Sequence, residues 1–361
     1  MRSIIDCHLD LAWNALQWDR DITLPLKEVR SAEAGMTDHP ARGRATVSLP
    51  EMRRANICVC LATVLSRAKP HSRHRTGFTR RDLDYENQLI ASAVGVAQIE
   101  YYRLLEQSGQ ITVLRTASEM KSHMHQCATE PHVPIGVIIA MEGADPIVRP
   151  GQASEWWDRG LRCVGIAHYG QHPYAAGTGI QGPITAIGRS LLAEFERLGM
   201  ILDLTHCAEP GFYEALSLFN GRVLASHNMC RSLVPGDRQF CDKQIRALIS
   251  RDAIIGMAFD AWMLLPGYKV GETPRDATPL SNVADHVEHI CHLAGNIRHV
   301  AIGSDLDGGY GNEQTPSEMD SIADIHKLAE ILRDRGFSDA DCDAIFYGNS
   351  LRFFSEALPQ S

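Results

Sequence analysis

The chain lacks any apolar run approaching the roughly 18 to 20 residues that a membrane span needs, and it opens M-R-S-I-I-D-C-H-L-D with no apolar leader. A soluble, cytoplasmic protein with no membrane partner is therefore expected. Positive charge is also short. The 35 Lys and Arg stand against 44 Asp and Glu, a formal net charge of -9, which is the wrong sign for gripping a phosphate backbone and argues against nucleic acid as a partner. There is no Cys-x-x-Cys pair, so the 10 scattered cysteines read as small reduced core residues rather than as a zinc or redox motif. No Gly-rich phosphate loop follows an apolar run, which tells against a nucleotide-binding enzyme. Internal repeats, low-complexity tracts and linkers are missing too, so the expectation is a single domain over residues 1–361.

What is present is a regular alternation. Apolar runs at 3–7, 57–62, 136–141, 163–167, 200–204, 222–226, 253–259 and 299–303 are apolar on both faces, as strands of a helix-covered parallel sheet must be. Helical periodicity falls between them at 81–106, with Leu83, Leu89, Ile90 and Val94 near helical spacing, and at 185–198, 209–218, 242–250 and 282–294. Eight strand–helix alternations fit a (β/α)₈ TIM barrel, although a doubly wound open sheet gives the same pattern. The gap at 20–56, with Pro25, Gly35, Pro40, Gly43 and Pro50, reads as an irregular loop or short hairpin over one barrel mouth. The basic stretch R-A-K-P-H-S-R-H-R-T at 67–76 reads as a solvated loop.

The 16 histidines are the composition's oddity, and several fall at strand ends. His8 and Asp10 follow the first run, Glu142 the third, His168 the fourth, His206 the fifth, His227 the sixth and Asp305 the eighth. In a parallel barrel all carboxyl ends share one face, so these dispersed residues converge, and that favours the barrel over the open sheet. His8 and Asp10 at i, i+2 project to the same side of an extended end, and imidazole with carboxylate suits zinc or a similar divalent ion. Taken singly each has a plainer reading: a hydrogen-bonded pair, a Glu at the rim in water, a satisfied core histidine. His206 in D-L-T-H and His227 in L-A-S-H end successive strands, which lie about 4.8 Å apart, close enough to share a metal. Asp305 in I-G-S-D-L-D-G-G is placed to move a proton, while the later ligands of a calcium loop are missing after it.

These residues sit in motifs that resemble a known set. H-L-D at 8–10, M-E-G-A at 141–144, G-I-A-H-Y at 165–169, L-G-M-I-L-D-L-T-H at 198–206, A-S-H-N at 225–228, G-D-R-Q at 236–239, I-G-S-D-L-D-G-G at 302–309 and Y-G-N-S-L-R-F-F at 347–354 resemble, in order, the membrane dipeptidase (renal dipeptidase) family of zinc peptidases in the amidohydrolase superfamily. The resemblance implies a metallo-dependent hydrolase barrel with two Zn²⁺, His8 and Asp10 on one, His206 and His227 on the other, and Glu142 bridging. It implies hydrolysis of small dipeptides, L-Xaa-D-Xaa among them, by a metal-activated bridging hydroxide. His168 then polarises the scissile carbonyl, Arg238 grips the substrate carboxylate, and Asp305 is the catalytic carboxylate.

The chain departs from the family where an aromatic residue follows the seventh strand: here the run is M-A-F-D, with Asp260 at the Tyr position. A carboxylate there changes the pocket's polarity and favours either a substrate with a cationic group or none of the usual dipeptides. Tyr169 and the 169–180 segment read as a pocket wall, with His172 as a further substrate contact. The sequence leaves room for a lactonase or another amide hydrolase on the same metal site, and for a catalytically silent metal-binding barrel. A homodimer is the default expectation for assembly.

Overall fold

Eight short parallel strands circle a common axis in the structure, a computed structural model that describes residues 1–70 and 82–360. They are β1 (Ile4–Leu9), β2 (Ile57–Val64), β3 (Ile135–Met141), β4 (Leu161–Gly165), β5 (Ile201–Asp203), β6 (Val223–Leu224), β7 (Ile255–Met257) and β8 (Val300–Ile302). β1 to β6 pair in sequence order, β7 pairs with β8, and β8 pairs back onto β1 through Asp6 and Ile302. The two ends of the sheet path meet at an isolated parallel bridge between Ala225 and Ile255, so the barrel is nearly closed. A short strand, Ile111–Val113, pairs with the outer run of β3 and lies off the circuit.

Every residue of the eight strands is buried, which is why they read as unbroken apolar runs. Two apolar clusters account for this. Ile5, Val59, Ile138, Cys163, Ile201, Leu224 and Ala301 belong to one cluster, and only the barrel interior can draw a residue from seven of the eight strands. Phe353 and Phe354, from the helix Asn349–Ala357, join that cluster. The other cluster, with Ile4, Val137, Val164, Leu202, Val223 and Ile255, packs outward onto helices through Leu191, Phe195, Phe212 and Leu248.

The helices follow ordinary chemistry. Ala186–Leu198 starts where the Thr185 hydroxyl accepts from Gly188 N–H and ends at Gly199 in the left-handed region, φ 76°. The segment expected as a helix over 81–106 is helical only at Gln88–Gln107, capped by the Asn87 side chain. Its buried face is Ala91, Gly95, Gln98, Ile99, Tyr102 and Leu105, whereas Leu89 is 69% exposed. Leu83, Leu89 and Ile90 therefore misplaced the stripe, because Gly95 and Gln98 carry no apolar signal yet face the barrel.

The 20–56 segment is not a hairpin. It holds the helices Leu26–Ala32 and Leu49–Arg54, the latter capped by Ser48 with Pro50 in its first turn. Buried charge fastens it to the barrel mouth. Arg20 donates to Glu33 Oε1 at 2.8 Å, to Asn14 at 2.8 Å and to Ala41 O at 3.0 Å, while Asp307 accepts from Thr46 and Val47 backbone N–H. Burial alone would raise the Glu33 carboxyl, but Arg20 and Arg42 outweigh it and hold it below its ordinary 4.5. Its contribution is thus present above that value and is lost as pH falls through the lowered one. Glu33→Ala takes a shared carboxylate from Arg20 and Arg42, which keep Asp307 and Asp38, and is expected to cost about 1–3 kcal/mol, read from urea unfolding at pH 7. A loss under about 1 kcal/mol would mean that water replaces the carboxylate.

Candidate metal centre

Six of the eight strands deliver the imidazoles and carboxylates that meet at the carboxyl-end mouth around Glu142, just past β3. Its Oε1 lies 3.2 Å from Nε2 of both His206 and His227 and 3.5 Å from that of His168, while Oε2 lies 3.7 Å from His8 Nε2. His8 Nε2 is 3.7 Å from Asp10 Oδ1 and 3.8 Å from Asp305 Oδ1. Three sets hold one ligand atom per residue within 4.8 Å of one another: His8–Glu142–His227, Glu142–His168–His206 and His8–Asp10–Asp305. His206 and Asp305 reach their places with φ of 65° and 58°, a region non-glycine residues seldom adopt and one that clusters at functional sites.

The donor set fits metal. Two donors about 2.0–2.2 Å from one tetrahedral ion stand roughly 3.3–3.6 Å apart, close to the spacings around Glu142. His8 Nε2 is buried with no hydrogen-bond partner, which is costly for a polar atom in a dry site and suits a ligand facing a cation. The neighbouring hydroxyls orient the imidazoles. Ser226 Oγ donates to Asp203 Oδ2, leaving its oxygen to accept from His227 Nδ1 at 2.9 Å. Thr178 Oγ1 donates to His206 O and accepts from His206 Nδ1 at 3.0 Å. Both rings then keep the proton on Nδ1 and turn the Nε2 lone pair toward Glu142. Asp10 is held by a hydrogen bond from the Thr63 hydroxyl.

The electrostatics agree. Burial opposes a charge on His8, yet Glu142, Asp10 and Asp305 outweigh it and push the imidazole up to about 10. Burial pushes Glu142 up to about 7, with Asp10 and Asp203 adding against His8 and Arg238. His206 and His227 are held well below the ordinary value by burial and then by Arg238 and the neighbouring imidazoles, in the neutral form that ligates metal. The raised His8 and Glu142 values mark carboxylates crowded into a buried site, a strain that a bound divalent cation relieves.

A cavity of about 280 Å³ opens over the cluster, lined also by Trp13, Arg67, Tyr169, Arg238, Asp260, Tyr310 and Gln314. Arg238 is 2% exposed, donates through Nη2 to His227 O at 2.9 Å, and buries Nη1 without a partner. Asp260 Oδ1 accepts from Gln314 Nε2 at 2.8 Å and from Trp262 N at 3.3 Å, and burial pushes its carboxyl up to about 7 against those bonds and Arg238. Tyr169 is 38% exposed and edges onto His168 and His206.

Two sequence expectations need correction. His172 does not line the cavity: it is buried, with Nδ1 2.8 Å from Asp145 Oδ1 and Nε2 3.2 Å from Tyr169 O. It braces the loop after β4 from behind, where Gly177 also packs so closely on His168 O that a Cβ would stand 1.8 Å from it. The basic stretch at 67–76 is not all solvated loop. Arg67 is half-buried at the cavity, 2.9 Å from His168 Nδ1, and residues 71–76 lie outside the described residues. Sequence reading missed Arg67, Gln314 and Ser226, and placed Thr178 only within the 169–180 pocket wall. Only Ser226 carried a signal, as the hydroxyl beside His227 in A-S-H.

A parallel barrel with imidazoles and carboxylates converging at its carboxyl mouth carries its candidate site where barrel enzymes carry theirs. The sequence match is more specific: the sequence model of the membrane dipeptidase family, peptidase family M19, fits residues 2–359, and the chain belongs to that family. Membership implies a metal-binding site. Among known proteins it is similar to Dipeptidase tcpJ of Claviceps purpurea (strain 20.1), 28% identical over 232 residues, covering 61% of this chain and 51% of that protein. The chain spans about half the length of the curated relatives it matches first. Among solved structures, the fold is shared with the metallo peptidase called dipeptidase AC, at TM-score 0.78 and 20% identity over 100% of this chain and 99% of that one. It is shared too with a metallo peptidase from Rhodobacter sphaeroides liganded with a phosphinate mimic of L-Ala-D-Ala, at 0.76 and 20% over 99% of each. No helix among the described residues is long and apolar enough to cross a membrane.

Proposed function

We propose that the protein is a zinc dipeptidase acting on small dipeptides, L-Xaa-D-Xaa substrates among them. One observation carries the reading: the two oxygens of Glu142 face different donor sets, His8 on one side and His206 with His227 on the other. In this reading His8 and Asp10 would hold one ion, His206 and His227 the second, and Glu142 would serve both. When bound, the pair supplies a Lewis acid for the scissile carbonyl and a water acidified toward neutral pH.

The chain's own residues do the remainder. Arg238 offers its unpartnered Nη1 to the terminal carboxylate of the substrate, and a lactone has no such group to give. His168 stands beside Glu142 where a carbonyl oxygen would gain charge. Asp305 takes the attacking water's proton and passes it to the leaving nitrogen. Tyr169 and Asp260 shape the substrate side chains' surroundings. Asp260, with Oδ1 engaged by Gln314, favours a cationic or hydrogen-bond-donating side chain, so Asp260→Asn should lower kcat/KM for such substrates selectively. The mimic of L-Ala-D-Ala on a protein of the same fold supports the D-residue specificity, and the unpaired cysteines, all 10 of them, suit a reducing cytoplasm.

The test is elemental analysis of the purified protein beside a screen of L-Xaa-L-Xaa and L-Xaa-D-Xaa dipeptides. The expected result is roughly two zinc ions per chain with dipeptide turnover; zinc without turnover of any dipeptide overturns the reading. Arg238→Ala is expected to raise KM roughly ten- to a hundredfold, the scale of one charged hydrogen-bond pair, with kcat changed far less. An unchanged KM would remove Arg238 from the carboxylate site.

A further inference from the structure

Arg67 has no place in the site as the sequence reads it, yet its guanidinium is 2.9 Å from His168 Nδ1. We infer that Arg67 fixes the proton of His168 on Nε2, making that ring a hydrogen-bond donor to the substrate's carbonyl oxygen and excluding it from the metal ligands. The substrate named rests on the dipeptidase reading; the proton's position does not.

Arginine has donors and no acceptor. A contact with Nδ1 therefore requires that nitrogen to present its lone pair, and the single proton of a neutral imidazole must sit on Nε2. That nitrogen faces the cavity, 3.5 Å from Glu142 Oε1. A protonated Nε2 cannot ligate. The arrangement is the reverse of that at His206 and His227, whose Nδ1 atoms meet the Thr178 and Ser226 hydroxyl oxygens and whose Nε2 lone pairs are free. His168 thus differs in kind from two histidines that stand at similar distances from the same carboxylate.

Arg67 is held in place for this task. Its Nε donates to Asp84 Oδ1 at 2.7 Å and its backbone N–H to Leu83 O at 2.9 Å. The next residue, Ala68, donates to Asp145 Oδ2 at 2.7 Å, and the other oxygen of Asp145 takes His172 Nδ1 at 2.8 Å. The strand end after β2 and the loop after β4 are thereby locked together, and the pair Arg67–His168 spans the lock. A fixed positive charge behind the ring also strengthens the Nε2–H as a donor to an oxygen gaining negative charge. Arg67 is thus a positioning residue acting through His168.

The test reads the proton directly, by long-range ¹H–¹⁵N correlation in protein labelled at histidine, with His168→Gln assigning the ring. In wild type, metal-free or zinc-loaded, His168 Nδ1 should be unprotonated and Nε2 protonated, and His206 and His227 the opposite. Arg67→Met, which removes the donors and keeps the chain length near, should let the proton appear on Nδ1. It should lower kcat by roughly 10–100-fold with KM and zinc content near wild type, and Arg67→Lys should recover part of the loss. A protonated Nδ1 in wild type overturns the inference whatever the variants do, as does Arg67→Met with an unaltered tautomer. Because the spectrum needs no substrate, a protein that hydrolyses no dipeptide would sink the dipeptidase reading and leave the proton's position measurable.

Discussion

Asp305→Asn is expected to leave the protein folded and its metal content near wild type while kcat falls by about 10²–10⁴-fold, the contribution of a positioned general acid–base group. The substitution is nearly isosteric, and Asn tolerates the left-handed backbone that Asp305 occupies at φ 58°. What it removes is the ability to take a proton. The measurement pairs steady-state kinetics on a dipeptide with elemental analysis of the same preparation. The pairing matters because Asp305 Oδ1 stands 3.8 Å from His8 Nε2, in one set with Asp10, so ligation is open to it on distance alone. If zinc leaves together with activity, Asp305 is a ligand and the proton must travel by another group. Retained zinc with retained turnover would remove it from the chemistry altogether.

The barrel was legible because its strands obey a one-dimensional rule. A strand buried on both faces must be apolar throughout, and the residue that ends it must be in the mouth, so the eight runs located both the sheet and the convergence of His8, Glu142, His206, His227 and Asp305. Elements governed by three-dimensional neighbours were not legible in this way. The face of helix Gln88–Gln107 is set by a glycine and a glutamine, Gly95 and Gln98, which pack inward while Leu89 points to water. The 20–56 segment owes its helices to caps and to a buried Arg20–Glu33 pair that no periodicity announces. His172 looked like a substrate contact because it lies in the 169–180 segment that reads as a pocket wall, but Asp145 turns it away. Arg67 hid for the converse reason: it sits in a basic stretch typical of solvated loops, and its partner His168 is 101 residues away.

The harshest test of the site falls on Glu142. Glu142→Gln keeps the side chain's shape and removes the charge that faces His8 on one side and His206 and His227 on the other. Zinc content is expected to drop to about one ion per chain or fewer, and dipeptide turnover by at least roughly 10³-fold, because both activation of water and charge stabilisation depend on the ions. Loss of metal alone could also report a damaged fold, and the physics of the site separates the two. In metal-free wild type the buried carboxyl is pushed up to about 7, so ionising it at pH 8 costs folding free energy, and its stabilising protonated form is lost as pH rises through that value. Glutamine has no charge to desolvate. Against that gain stands the loss of the charge that does most to keep His8 cationic, so metal-free Glu142→Gln should melt close to metal-free wild type at pH 8, yet gain little from added zinc. Wild type should gain about 4 kcal/mol for each site at a thousandfold excess over Kd. A variant that melts well below wild type in the absence of metal would mean that Glu142 holds the barrel mouth together by itself. A variant that binds two ions and turns over would leave the function proposed here without its central residue.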